Sequence, residues 1–282
     1  VLSRLGGNKR SEFMQLIQRL SFVFLVLCCA SPVWAKLVLP QDGTGPEFRW
    51  QGAIADGKAI EIKGVNGEVR AEAASGNQVE VVAVKRWGRS APETVNVEVV
   101  EHAGGVTICA LYPQRNGEPS RCKPGAGGQN AYNNDVKVEF TVRVPAGVRF
   151  IGRTVNGNVR AENLSSNVEA RTVNGTIKVA TAGHAQASTV NGSINVACGR
   201  ADWEEGLAFS SVNGSIELAL PASARTMIHA RTVNGKISSD LPLMVRGSIS
   251  ARQLDGVIGG EESERQLKME TVNGSIRVTR AL

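Results

Sequence analysis

Val-Asn-Gly recurs at residues 65–67, 155–157, 173–175, 190–192, 212–214, 233–235 and 272–274. Leu254-Asp255-Gly256 stands where another copy is due. Seven units therefore run from 155 to 274, in steps of 18, 17, 22, 21, 21 and 18 residues. A repeat of this length marks stacked supersecondary units, each able to bury its core only against its neighbours. Before the valines stand Thr154, Thr172, Thr189, Ser211, Thr232 and Thr271, with Gln253 in the degenerate unit. Two residues after each glycine comes Val159, Ile177, Ile194, Ile216, Ile237, Ile258 or Ile276. Two further on come Ala161, Val179, Val196, Leu218 and Val278, with polar residues such as Arg160, Lys178 and Glu217 between. That alternation of period two predicts half-buried strands.

Asn-Gly takes positive φ at little steric cost, so each unit is expected to bend at the same place. The structural turns are then Asn156-Gly157, Asn174-Gly175, Asn191-Gly192, Asn213-Gly214, Asn234-Gly235 and Asn273-Gly274. In an antiparallel meander every Asn-Gly is a hairpin turn. In a parallel β-solenoid it is one corner of a coil, and equivalent residues stack about 4.8 Å apart. Stacking explains why the same residue types return at every corner, and it lets each asparagine bond to its neighbour's backbone as a ladder. We read the chain as all-β: a parallel β-solenoid with an irregular amino-terminal β portion, the meander being the alternative. Aromatic residues make up only 5% of the chain, so small and β-branched side chains must fill the core.

The stretch before residue 150 also reads as strands, at 59–63, 78–85, 95–100, 106–110 and 136–144. It is expected to supply opening coils or an antiparallel cap. Residues 36–150 and 151–282 form one continuous domain in this reading. The Gly- and Pro-containing loop at 112–134 is an insertion.

Residues 20–30 are an apolar run too short to span a bilayer. Arg19 precedes it, and Ser31-Pro32 and Val33-Trp34-Ala35 follow. This is the pattern of a secretory signal cleaved after Ala35, with Met14 as the initiator and residues 1–13 as an over-extended start. Leu27 before Cys28, and Cys28 before Cys29, fit a lipid-attachment motif poorly. Four of the 32 basic residues and one of the 26 acidic residues precede Lys36. The remaining positive excess of three is too small to imply nucleic-acid binding. Export places Cys109, Cys122 and Cys198 in an oxidising compartment. A Cys109–Cys122 disulfide is expected to pin the 109–134 loop and leave Cys198 as a buried thiol.

The strand ending VRVPAGV (142–148) and the TVNG units after it, behind a signal peptide, resemble the bacterial putative-adhesin family, domain of unknown function 4097. The resemblance spans roughly 60–282. It implies an exported, repetitive β-solenoid of the cell envelope and carries over no catalytic residues.

Arg153, Arg171, Arg231 and Arg252 occupy one position in the repeat, two before the valine or its equivalent. They are expected to form an outward column able to bind an anionic polymer. Lys85, Arg86 and Arg89 surround Trp87 as a second basic spot. Asp202, Glu204 and Glu205 flank Trp203, an arrangement that could serve a carbohydrate-active enzyme on a β-helix. Glu261, Glu262 and Glu264 form another acidic loop, without the Gly-containing pattern of a calcium site. Cys198 with His184 or His229 would be needed for nucleophilic catalysis, and nothing in the repeat brings them together. The resulting expectation is a non-enzymatic envelope protein without cofactor, periplasmic or at the cell surface. Its expected partner is an envelope polysaccharide or another envelope protein. A carbohydrate-active enzyme and an accessory of envelope-stress signalling are the alternatives.

Overall fold

Each repeat unit folds into two short strands joined at its Thr-Val-Asn-Gly corner. The computed structural model describes residues 43–115, 120–125, 127, 130–204, 206–260 and 263–281. The expected leader with Cys28, Cys29 and the cleavage point after Ala35 lies outside the described residues. So do Glu205, Glu261, Glu262 and parts of the 112–134 loop.

Seven strands precede the array: β1 (Glu47–Gly52), β2 (Ala59–Lys63), β3 (Val69–Ala73), β4 (Val79–Arg86), β5 (Asn96–His102), β6 (Gly105–Leu111) and β7 (Lys137–Val144). The regular coils then supply β8 (Arg149–Arg153), β9 (Val159–Leu164), β10 (Val168–Arg171), β11 (Ile177–Thr181), β12 (Ala185–Ser188), β13 (Ile194–Cys198), β14 (Leu207–Asn213) and β15 (Ile216–Leu220). The last part contains β16 (Thr226–Asn234), β17 (Ile237–Ser239), β18 (Leu243–Ile249), β19 (Gln253–Ile258), β20 (Gln266–Asn273) and β21 (Ile276–Arg280). They build two sheets. The first runs β1-β4-β7-β3-β9-β11-β13-β15-β21-β17, and the second β18-β19-β16-β20-β14-β12-β10-β8-β2-β6-β5.

The stack is a parallel solenoid with two strands per coil, and a meander is excluded. Ile177 lies opposite Ile194, and Lys178 opposite Asn195, in parallel register. The amino-terminal portion is partly coil and partly cap. Strand β2 pairs in parallel with β6 and β8, and β3 with β7 and β9. Strands β1, β4 and β5 join antiparallel at the sheet ends.

Inward columns make the core. Val159, Ile177, Ile194, Ile216 and Ile276 line up in the first sheet and are essentially inaccessible. Phe150, Val168, Ala185, Leu207, Leu267 and Ile228 face them from the second. Large and small residues alternate within the second sheet: Phe150 sits beside Gly152, and Phe209 opposite Ala187. A Cβ at Gly152 would come within 3.0 Å of the Phe150 ring.

The corner explains its own sequence. Each buried Thr or Ser hydroxyl donates to the glycine carbonyl of the neighbouring coil: Thr154 to Gly67, Thr172 to Gly157, Thr189 to Gly175, Ser211 to Gly192, Thr271 to Gly214 and Thr232 to Gly274, at 2.7–3.1 Å. The ladder runs side chain to side chain and not to backbone as expected: each Asn Nδ2 donates to the neighbouring Asn Oδ1 at 2.7–2.9 Å, through Asn156, Asn174, Asn191, Asn213, Asn273 and Asn234, starting from Asn66. The glycines are not required by backbone handedness. Only Gly67 among the corner glycines lies in the left-handed region, at φ 127°. At Gly157, Gly175, Gly192, Gly214, Gly235 and Gly274 the constraint is contact. A Cβ there would lie 1.9–2.2 Å from the carbonyl oxygen of the adjacent coil's glycine.

Two expectations about the last units are corrected. Leu254-Asp255-Gly256 is not a corner: it lies in β19, antiparallel to both β16 and β18. The coils also do not stack in sequence order. The final coil, β20–β21, inserts between β14–β15 and β16–β17, so the unit at 233–235 ends the stack.

Cys109 and Cys122 are joined, with Cα atoms 5.5 Å apart. The strapped loop is further latched to the second sheet. Gly125 N–H donates to Glu61 Oε2 at 2.9 Å, and Lys63 Nζ donates to the Lys123 and Gly125 carbonyls. Cys198 is a buried free thiol, its pKa pushed up to about 11 by burial.

Three variants test the corner. Gly175→Ala is expected to cost at least about 2 kcal/mol, because the new carbon meets backbone that cannot move alone. Thr172→Val should cost about 1–3 kcal/mol by leaving the Gly157 carbonyl unpaired. Val173→Thr, at an exposed position of the same corner, should stay within about 0.5 kcal/mol. Urea denaturation of the three proteins checks the ranking. Removing 263–282 should strip hydrogen-exchange protection from 226–239, whereas loss of a genuinely terminal coil would leave that segment protected. Peptide mapping without reduction should link Cys109 to Cys122, and reduction should cost roughly 3 kcal/mol. Cys198 should resist alkylation until the chain unfolds.

Candidate ligand-binding groove

The outward face of the second sheet carries three side-chain columns. Pairing aligns Arg149, Asn167 and His184 in one. Ile151, Glu169, Gln186 and Ala208 form the next. Arg153, Arg171, Ser188, Ser210, Glu270 and Arg231 form the third. Over the first two lies a groove of about 510 Å³, floored by Ile151, Glu169 and Gln186 and walled by the segment around 200–204. An adjoining depression of about 170 Å³ shares Gln186 and continues over Ser188, Ala208 and Ser210. The small side chains of β12 and β14 make this trough, and Ser188 and Ser210 hydroxyls bond across it at 2.8 Å.

The wall comes from the longest step of the repeat, between Asn191 and Asn213. Those extra residues form the 199–206 connection. Trp203 anchors it, being 2% exposed, with its ring edge-on to His184 at 6.4 Å between centroids. Arg265 Nε donates to the Trp203 carbonyl. Neither Trp203 Nε1 nor His184 Nδ1 has a hydrogen-bond partner among the described residues. Burial, opposed by the Asp202 carboxylate, lowers the His184 pKa from its usual value. Asp202 Oδ1 lies 4.0 Å from His184 Nδ1 and 3.7 Å from Arg200 Nε. Glu169 is held by Arg153 and Arg171 at 2.9 and 2.8 Å. The side chains of Arg149, Gln186 and Glu204 line the groove without a hydrogen bond or ion pair to another described residue.

The expected arginine column is broken. Arg153 is half-buried, with Nε donating to Glu61 Oε1 at 2.8 Å and an amino group donating to Glu169. Arg171 is exposed beside it. Arg231 stands four strands away, roughly 19 Å at ordinary strand spacing, with Ser188, Ser210 and Glu270 between. Arg252 leaves the column altogether, since Gln253 faces Arg231. The position two before the valine is shared, but antiparallel β19 shifts which residue reaches it.

The basic spot around Trp87 is also different from expectation. Lys85 is buried, its Nζ donating to the carbonyls of Gly43, Thr44, Pro92 and Val95. Arg86 pairs with Glu139, and Arg89 lies 4.0 Å from Asp135. The backbone N–H groups of Arg89 and Ser90 both donate to Asp135, which pushes its pKa down to about 2. Trp87 remains half exposed. Cys198 faces the core while His184 faces the groove, and His229 Nδ1 lies 2.9 Å from Asp255. Among the described residues, no three His, Cys, Asp or Glu side chains converge as metal ligands.

Sequence reasoning singled out Asp202, Trp203 and Glu204, as the acidic cluster of a carbohydrate-active enzyme. It missed Arg149, Gln186 and Arg200. The anomalously long step was the available signal, because an enlarged corner must fold over one neighbouring sheet face.

No protein-family model matches the chain, and no curated protein matches it. Among solved structures, a putative cell adhesion protein from Clostridium sporogenes aligns with 83% of this chain and 100% of its own, at 9% identity and TM-score 0.45. A putative adhesin from Bacteroides fragilis covers 82% of this chain and 96% of its own, at 10% identity and TM-score 0.32. A putative adhesin from Parabacteroides distasonis covers 85% and 98%, at 12% identity and TM-score 0.24. Likeness of that extent transfers no ligand, partner or activity to this chain.

Proposed function

We propose that this chain is a non-enzymatic, exported cell-envelope protein that holds a polysaccharide against the outward face of its second sheet. The observation that carries the reading is the groove over β8, β10 and β12. Its floor stands on paired strands, so its shape is preorganised. Its unpartnered polar groups include both charges and an amide, Arg149, Gln186 and Glu204, and the exposed Arg200 stands beside them paired with Asp202. Such a mixture suits the many hydroxyls and scattered charges of an envelope glycan. The adjoining trough over Ser188 and Ser210 extends the site along the face, as a linear polymer requires.

The carboxylates argue for binding over hydrolysis. A glycosidase needs one carboxyl kept protonated by apolar surroundings. Asp202 and Glu204 are exposed, and Glu169 is clamped between two arginines.

A glycan array with Lys36–Leu282 should identify bound polysaccharides. Arg149→Ala with Arg200→Ala should weaken binding about ten- to a hundredfold, the usual worth of charge-assisted hydrogen bonds. Both arginines are exposed, so urea midpoints should barely move. Filling the groove by Gln186→Trp should abolish binding. Unchanged affinity in both variants would remove the groove from the function. Failure of every glycan to bind would favour a protein partner instead.

A further inference from the structure

We propose that Asn234-Gly235, at the open end of the corner ladder, is a self-modification site where the side-chain amide converts to a carboxylate. The inference is independent of the groove and rests on a hydrogen-bond pattern that fails at one corner only.

Asn-Gly is the dipeptide best suited to this chemistry, because glycine leaves its own nitrogen unobstructed. The Gly235 nitrogen, having given up its proton to hydroxide, attacks Asn234 Cγ. The new N–Cγ bond closes a five-membered imide, the Cγ–Nδ2 bond breaks, and the amide leaves as ammonia. Water then opens the imide at either carbonyl, giving aspartate or isoaspartate. The net change is one water consumed and one ammonia released.

Two locks oppose the attack along the ladder. The first holds the nucleophile: the N–H groups of Gly67, Gly157, Gly175, Gly192, Gly214 and Gly274 each donate to the next corner's asparagine carbonyl at 2.9–3.1 Å. The second holds the electrophile: Oδ1 of Asn66, Asn156, Asn174, Asn191, Asn213 and Asn273 each accepts the next asparagine's Nδ2. At the end corner both locks are missing. Among the described residues, Gly235 N–H has no hydrogen-bond partner and Asn234 Oδ1 accepts no hydrogen bond. The chain that crosses this end satisfies the groups on either side. Thr232 N–H donates to Arg252 O and Ile237 N–H to Ala251 O, both at 3.0 Å, and Gly235 is passed over. The corner is also the most open one, with Val233 55% exposed against 38–40% for Val173, Val190, Val212 and Val272. The opposite end is closed by Asn66 Nδ2 donating to the Asn134 carbonyl.

The product would matter to the stack. Asn234 Nδ2 is the donor to Asn273 Oδ1 at 2.8 Å. A carboxylate there faces that carbonyl oxygen with no proton to share, and an isoaspartate lengthens the backbone where Asn234 is registered with Asn273.

The full chain carrying Asn116→Gln, which removes the Asn-Gly pair in the 112–134 loop, is incubated at mildly alkaline pH. Tryptic mapping by mass spectrometry then follows amide-to-acid conversion at each ladder asparagine. Asn234 should convert at least about tenfold faster than any other, since the rest must first open locally. In denaturant, where every pair has the same chemistry and no lock, the seven rates should converge. Comparable native rates along the ladder would overturn the proposal. A preference for Asn234 that persists in denaturant would overturn it too, by tracing the preference to sequence and not to the missing locks.

Discussion

The rest of the stack follows from the close approach between successive corner glycines. Backbone turning from one sheet to the other must pass over the neighbouring coil's carbonyl at a distance that admits no Cβ. That carbonyl is also partly shielded from water, so a partner inside the protein stabilises it. The Thr or Ser hydroxyl two residues before the asparagine supplies it. Glycine and threonine are therefore two halves of one contact. Asparagine adds an exposed ladder worth little per bond, but it repeats at every rung and fixes the register in which the isoleucines stack. The intervening valines are 38–55% exposed from Val173 onward. A β-branched side chain there favours extended backbone without serving the core.

The repeat therefore declared the fold and concealed the order. Period-two alternation and a recurrent Asn-Gly are direct physical consequences of half-buried strands and a shared corner, so the parallel register of Ile177 with Ile194 could be read from spacing. Positive φ was the wrong reason for the glycines, because a sequence does not distinguish a strained turn from a steric contact. The insertion of β20–β21 was invisible for a related reason. Every corner offers the same groups above and below, so any coil fits beside any other. One signal did exist. The unit at 233 continues as Lys236-Ile237-Ser238-Ser239, with a serine where interior coils place Val179, Val196, Leu218 or Val278. A coil with half an apolar strand has less to gain from a neighbour on each side, and it belongs at an end.

That arrangement constrains folding. Coil β16–β17 cannot contact β14–β15 directly; it meets them only through β20–β21. In the finished stack the last coil fills the gap between β14–β15 and the end coil β16–β17, with β19 and β18 continuing the second sheet beyond β16. In a stack ordered by sequence each coil can dock as it is made. Here the pairing of β14 with β20 joins residues about sixty apart, Leu207 with Leu267 among them. Closing that loop costs entropy before its contacts are made.

The groove was the least legible feature, and for a reason that separates structure from function in this chain. Residues under the repeat are fixed by neighbours of the same type, so their identity reports packing. Residues outside it, such as the 199–206 connection, are free of that demand. Trp203 spends its apolar surface closing the side of the second sheet, and this sets Arg200, Asp202 and Glu204 beside the outward Ile151, Glu169 and Gln186. Arg149 faces them from the start of β8, two coils away in space and about fifty residues away in sequence. Only the parallel stacking brings them together, so the same register that makes the core monotonous gives the irregular corner a surface to work against.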